Sequence, residues 1–141
     1  MVVNVIYESK KGHTETVANA IAAECGVQAI DITVPHVLPE TDLLFIGTGI
    51  YAGKPDSALL DYLDQLPVNK IKGAAIFSTS ARGRSQTELM MNLLSHKGIE
   101  IYPRQFACRG QFLFLSVHHP DARDLSTAKA WARSVLDACN I

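Results

Sequence analysis

Val2-Val3-Asn4-Val5-Ile6-Tyr7, then Glu8, then Ser9-Lys10-Lys11-Gly12-His13-Thr14, is the stretch whose reading decides the fold. A short β-branched run stops at polar residues and Gly12, as a strand entering a tight loop does. Thr14 to Glu24 follows with Val17, Ala20, Ile21 and Glu24 at helical spacing, and Gly26 is a natural stop. Strand, polar loop and helix thus follow one another within the first 26 residues.

The same alternation continues to the other end. Val27 to Ile32 reads as a second strand, and Leu43-Leu44-Phe45-Ile46 as a strand buried on both faces. Between them Thr33 to Thr41, with Pro35 and Pro39, is too short and interrupted for a long helix. Asp56 to Leu66 reads as a helix burying Leu59, Leu60, Leu63 and Leu66, with Pro55 suited to its first turn. Ala74 to Phe77 is a further buried strand. Ser85-Gln86-Thr87-Glu88 has the capping-box pattern and opens a helix carrying Leu89, Met90, Leu93 and Leu94 as far as Gly98. Ile99 to Arg109 holds a strand interrupted near Pro103. The last helix, Leu125 to Cys139, places Ala128, Ala132, Val135, Leu136 and Cys139 on one face.

Five strands alternating with helices predict an α/β fold, a doubly wound parallel sheet with helices on both faces. The 141 residues are expected to form one domain, 1–141, with a full hydrophobic core: 48% are hydrophobic and 19% charged. Thirteen Lys and Arg against fourteen Asp and Glu give a net charge of -1, which supplies no global field for nucleic acid or acidic membrane. Cys25, Cys108 and Cys139 form neither a CxxC nor a metal cluster, and the opening run is too short for a signal peptide. With no apolar run long enough for a membrane span, the expectation is a soluble, cytoplasmic chain.

Ligands of open α/β sheets bind beyond the carboxyl ends of the strands, where strand order reverses. That rule selects three loops rich in Gly, Ser and Thr: Ser9–Thr14, Thr48–Lys54 and Ser78–Arg84. The first opens a helix, whose unpaired N–H groups favour phosphate; Ser9 and Thr14 add hydroxyls, Gly12 lets the backbone curl, and Lys10 and Lys11 add charge. Taken alone, it equally fits a strand–helix turn with a capping threonine and solvated lysines. The Walker A pattern, GxGxxG, a receiver-type phosphoacceptor aspartate and a phosphatase-type loop cysteine are all missing, which leaves a loop that holds phosphate without transferring it.

On these residues the chain resembles the flavodoxin family, whose phosphate loop runs Ser/Thr-x-Thr-Gly-x-Thr. Ser9, Gly12 and Thr14 match, and Lys11 stands where a threonine is usual. Element order, short length and all three loops agree, and no insertion splits the fifth strand. Cys108-Arg109-Gly110 looks like a Cys-x-Gly segment of a divergent flavodoxin-like group. The resemblance implies noncovalent FMN, with Ser9, Lys10, Lys11, Gly12, His13 and Thr14 around its phosphate. It puts Thr48, Gly49, Ile50, Tyr51, Ala52 and Gly53 beside the isoalloxazine. Ser78, Thr79, Ser80, Ala81, Arg82 and Gly83 fall on the pyrimidine side.

Tyr51 is the candidate stacking aromatic, against packing on the following helix. Gly53 suits a positive-φ turn, and Lys54 stands where relatives often carry an acid. Arg82 and Arg84 read either as solvated charges or as contacts to phosphate, substrate or partner. The resemblance further implies one-electron transfer with a redox partner protein. The rivals are an FMN-dependent oxidoreductase of the protoporphyrinogen oxidase type and a flavodoxin-fold interaction module without cofactor. Among the remaining features, His118-His119 reads as a loop pair with no Cys or carboxylate at ligand spacing. Phe112-Leu113-Phe114-Leu115 reads as core, and Cys108 as a buried apolar residue.

Overall fold

In a computed structural model, which describes residues 1–111 and 118–139, the elements run in chain order. They are β1 (Val3–Tyr7), α1 (His13–Cys25), β2 (Ala29–Asp31), β3 (Thr41–Tyr51), β4 (Lys54–Pro55), α2 (Ser57–Asp64), β5 (Ile71–Ser80), α3 (Glu88–His96), β6 (Glu100–Ile101), β7 (Phe106–Arg109) and α4 (Ala122–Cys139). Phe112 to Leu115 lies outside the described residues.

The sheet has the order β2-β1-β3-β5-β6, all parallel. Both β6 and β7 pair with β5, at Gly73 to Ala74 and at Phe77 to Ser80. They share one strand position, broken where Pro103 cannot donate to the ladder. The fold is therefore the expected doubly wound sheet of five strand positions, with β4 added as a short antiparallel partner of β3. Strand order reverses between β1 and β3.

Successive residues of the buried strands feed opposite faces. Val5, Phe45 and Phe77 pack with α1 and α4, whereas Ile6, Leu44, Ile46 and Ile76 pack with α2 and α3. Trp131 of α4 is the centre of the first face. Its ring lies 5.5 Å from that of Phe45, 6.4 Å from Phe77 and 5.9 Å from Phe106, and its Nε1–H donates to the Arg104 carbonyl at 2.9 Å. An indole buried with its donor satisfied contributes both area and fixed geometry. Gly47 is dictated by this core: it is the register partner of Phe77, and a Cβ there would overlap the Phe77 ring.

Several boundaries differ from the sequence reading. Pro55 belongs to β4, and α2 starts behind it with Asp56 as N-cap, whose carboxylate accepts the Ala58 N–H at 2.9 Å. The capping-box pattern does not open a helix at Ser85. Helix α3 begins at Glu88 and its N-cap Thr87 makes no side-chain cap bond, because its hydroxyl donates to Gln105 instead. Cys139, expected on the buried face of α4, is exposed, and Trp131 takes that role. Among the described residues no helix is long and apolar enough to cross a membrane.

Candidate functional site

The reversal of strand order leaves a crevice beyond the carboxyl ends of β1, β3 and β5. A cavity of about 650 Å³ lies there, lined by segments of all three predicted loops. In the first loop Gly12 is the N-cap of α1 at φ 87°, a left-handed conformation that glycine adopts without Cβ strain. Its N–H donates to Ser9 Oγ at 3.0 Å, so the Ser9 hydroxyl proton remains available for another acceptor. Gly12 has no side chain to cap the helix, and the first residues of α1, His13 and Thr14, face the cavity. The helix start thus presents N–H groups without intrahelical partners, and partial positive charge, to the cavity. Thr14 is 1% exposed, and its hydroxyl is 2.8 Å from that of Thr79 at the end of β5.

The second wall is a hairpin. Ala52 at φ 50° and Gly53 at φ 78° form a two-residue turn joining β3 to β4, with Tyr51 paired to Lys54. Gly53 is the positive-φ turn glycine anticipated from the sequence; Ala52 holds the same region at a cost of about 1–2 kcal/mol. Tyr51 lines the cavity, but its ring is held from behind. Its hydroxyl lies 3.4 Å from both Lys10 N–H and Glu8 Oε2, and the Lys10 ammonium sits 4.3 Å from the ring centroid. Burial, then the Glu8 charge, pushes the Tyr51 hydroxyl up to about 12. The Lys10 ammonium also pairs with buried Asp56 at 3.3 Å.

The third wall is the segment after β5. Thr79, Ser80, Ala81, Arg82 and Arg84 line the cavity, and Ser80 Oγ accepts the Arg84 backbone N–H at 3.0 Å. Lys10, Lys11, Arg82 and Arg84 give the lining four fixed cations, and no carboxylate lines it among the described residues.

The flavodoxin domain family matches residues 4–113 of the chain. The chain belongs to the flavodoxin domain family. An uncharacterized protein of Methanocaldococcus jannaschii is 32% identical over 147 aligned residues, covering 94% of this chain and 96% of that one. Among solved structures, a flavodoxin from the domain Archaea superposes with a TM-score of 0.81 at 19% identity, each chain covered in full. Oxidised Flavodoxin 2 from Bacillus cereus superposes with a TM-score of 0.71 at 14% identity, covering 98% of this chain and 99% of that one.

Within this flavodoxin domain the structure brings together most of the predicted site residues. Gly12, Thr48, Ser78 and Gly83 are exceptions that do not line the cavity. Thr48 and Ser78 are 0% and 1% exposed and are register partners inside the sheet, because β3 and β5 run beyond their apolar cores. Lys54 is exposed on the outer arm of the hairpin and does not line the cavity either.

Gln86, Gly110 and Gln111 line it without having been anticipated. A Cβ at Gly110 would crowd the His13 side chain at 3.1–3.3 Å, a close approach that only the folded chain reveals.

Glu8 was missed as well. At 3% exposure it is one of the few buried charged groups, and it lies directly behind the hairpin. Burial, then the nearby Asp56, raises its pKa, and the bonds from Gly49, Tyr51 and Thr48 only partly oppose this.

Two side features are also settled. His119 does have carboxylate neighbours: Nδ1 is 2.7 Å from Asp124 Oδ2 and 3.8 Å from Asp121 Oδ2. These acids arrive because α4 starts next to the pair, and each carboxylate already accepts the other residue's backbone N–H at 2.9 Å, which closes the helix start. Cys108 is the buried apolar residue expected, its thiol pushed up to about 12 by burial, with Asp124 and Asp121 adding to it.

Proposed function

We propose that this flavodoxin-domain protein binds FMN noncovalently in the β1/β3 cavity and works in the cytoplasm as an electron carrier with a redox partner protein. The observation that carries this reading is the uncapped start of α1 facing a cavity whose described lining holds no carboxylate and four fixed cations, of which Lys10 is paired with Asp56 behind the lining. A phosphate monoester needs such an environment: oriented N–H donors, positive potential and hydroxyls at the rim. The Ser9 hydroxyl and the helix start would hold the phosphate, with Lys10 and Lys11 supplying charge, His13 lining the same side and Thr14 offering a buried hydroxyl. Gly49 to Gly53 and Thr79 to Arg82, which line the cavity from the ends of β3 and β5, would flank the planar ring.

A bound FMN supplies one-electron redox chemistry, and the protein supplies binding, orientation and electrostatics. The residues here suit that division. The polar groups lining the cavity among the described residues are cationic, imidazole, hydroxyl, amide or backbone groups, beside aliphatic Ile50, Ala52 and Ala81, with Tyr51 as the aromatic wall. The buried Cys108 thiol, held protonated, offers no nucleophile.

The test is electron exchange by the FMN-loaded protein. After photoreduction it should pass its electrons to a one-electron acceptor such as cytochrome c. Failure to do so, together with multiple turnovers of a quinone or porphyrinogen, would replace the carrier with an oxidoreductase.

A further inference from the structure

Glu8 is the charged group that the FMN reading leaves unused, and its contacts form a pattern. It follows β1 directly, with its backbone N–H on the Gly47 carbonyl at 3.1 Å. Its carboxylate turns inward, 3% exposed, where an ionised group is costly unless compensated. No cation forms an ion pair with it among the described residues; Lys10, the nearest in sequence, is engaged with Asp56. Among the described residues the donors to its carboxylate all come from one segment, the end of β3. Gly49 N–H approaches Oε1 at 3.3 Å, Thr48 Oγ1 at 3.4 Å, and the Tyr51 hydroxyl approaches Oε2 at 3.4 Å. The Thr48 hydroxyl has a shorter bond to the Gly49 carbonyl at 2.8 Å, so Gly49 and Tyr51 are the main donors.

We propose that Glu8 is a positioning residue of the cavity: its carboxylate latches the β3–β4 hairpin through Gly49 and Tyr51, and proton uptake releases the latch. The regulation rests on the reading of the cavity as an FMN site; the latch itself does not. Three features make the hairpin responsive to one carboxylate. Gly49 is a close-approach glycine, because a Cβ there would overlap the hydroxyl end of Tyr51, so ring and backbone move together. Tyr51 has its hydroxyl between Glu8 and Lys10 N–H, and the loss of one anchor frees the ring to turn. Gly49, Tyr51, Ala52 and Gly53 all line the cavity, so its wall follows the hairpin.

The titratable groups facing Glu8 are Tyr51 from β3, Asp56 from the N-cap of α2 and, through Asp56, Lys10 from the loop after β1. Tyr51 stays protonated across the working range, and Asp56 acts in the same direction as burial, favouring the neutral acid. The ionised form holds the hairpin in the described position. The neutral acid loses the charge that attracts both donors, and the wall relaxes.

The test is an NMR titration of the protein as purified, from about pH 4 to about pH 8, following the Gly49 amide and the Tyr51 ring. It is repeated for Glu8→Gln and Tyr51→Phe, and FMN affinity is measured at the same pH values. In the wild type, Gly49 and Tyr51 should share one midpoint above the ordinary glutamate range. FMN binding should weaken about threefold to tenfold on the acid side of it, the span of one lost hydrogen bond. Glu8→Gln should abolish the midpoint at both reporters and hold FMN affinity at the weaker level throughout. Tyr51→Phe, which keeps the carboxylate, should retain the Gly49 midpoint. A Gly49 titration that survives Glu8→Gln, or separate midpoints for Gly49 and Tyr51, would overturn the latch. Failure of added FMN to bind, with the shared midpoint intact, would overturn the FMN reading and leave the latch standing.

Discussion

Thr14 and Thr79 join the start of α1 to the end of β5 through a hydroxyl–hydroxyl bond of 2.8 Å, buried at both ends. The α1 side of the cavity and its third wall are therefore one unit. Thr14→Val keeps the shape but leaves the Thr79 hydroxyl without its partner, which costs about 1–3 kcal/mol in denaturant unfolding. If Thr14 also serves the phosphate, FMN affinity should fall by about tenfold to hundredfold, the worth of a charge-assisted bond. Riboflavin, with no phosphate, should lose much less. Equal losses for the two ligands would confine Thr14 to a role in the fold.

Glu8→Gln should change stability in a pH-dependent way whose sign is fixed. Folding raises the Glu8 pKa, chiefly by burial and then by Asp56, so the native state binds more protons than the unfolded chain. Its contribution is full below the ordinary glutamate pKa and is lost as pH rises through the raised value. The variant has no such loss. Its melting temperature relative to wild type should rise across that window and level off above it; a difference that falls with pH would mean that Glu8 is stabilised as the anion.

Arg84 lines the cavity, whereas Lys54, which follows the turn glycine Gly53, does not. One charge at about 8 Å in an effective dielectric of about 40 contributes about 1 kcal/mol. With about 59 mV per tenfold for a one-electron couple, that is some tens of millivolts. Arg84→Glu should lower the potential of bound FMN by about that amount or more, and more at low salt. Lys54→Glu should shift it less. Redox titrations of the two variants in which Lys54 gives the larger shift would show that the ring lies toward the outer arm of the hairpin.

The fold was legible because its signals are local. Apolar runs such as Leu43 to Ile46 and helical stripes such as Leu59 and Leu63 report burial directly. The strand ends were not, since Gly47-Thr48-Gly49 has loop composition. It stays in the sheet because Phe77 needs the space over Gly47 and the ladder to β5 continues through Gly49 and Thr79. Thr48 and Ser78 are buried within that ladder, whereas Gly49 and Thr79, one residue further on, reach the cavity lining. Glu8 was illegible for a different cause. A glutamate after a strand reads as solvated, and only the return of the chain at residues 48–51 buries it. The capping-box pattern at Ser85 does not open a helix; the N-cap is Thr87, two residues later, whose hydroxyl goes to the long-range partner Gln105.

The most direct test of the account is titration of FMN into the purified wild-type protein, followed by calorimetry and flavin fluorescence. Saturable, equimolar binding that is tighter for FMN than for riboflavin is predicted, with flavin bands near ~375 and ~450 nm in the complex. A protein that stays colourless and takes up no added FMN would contradict it.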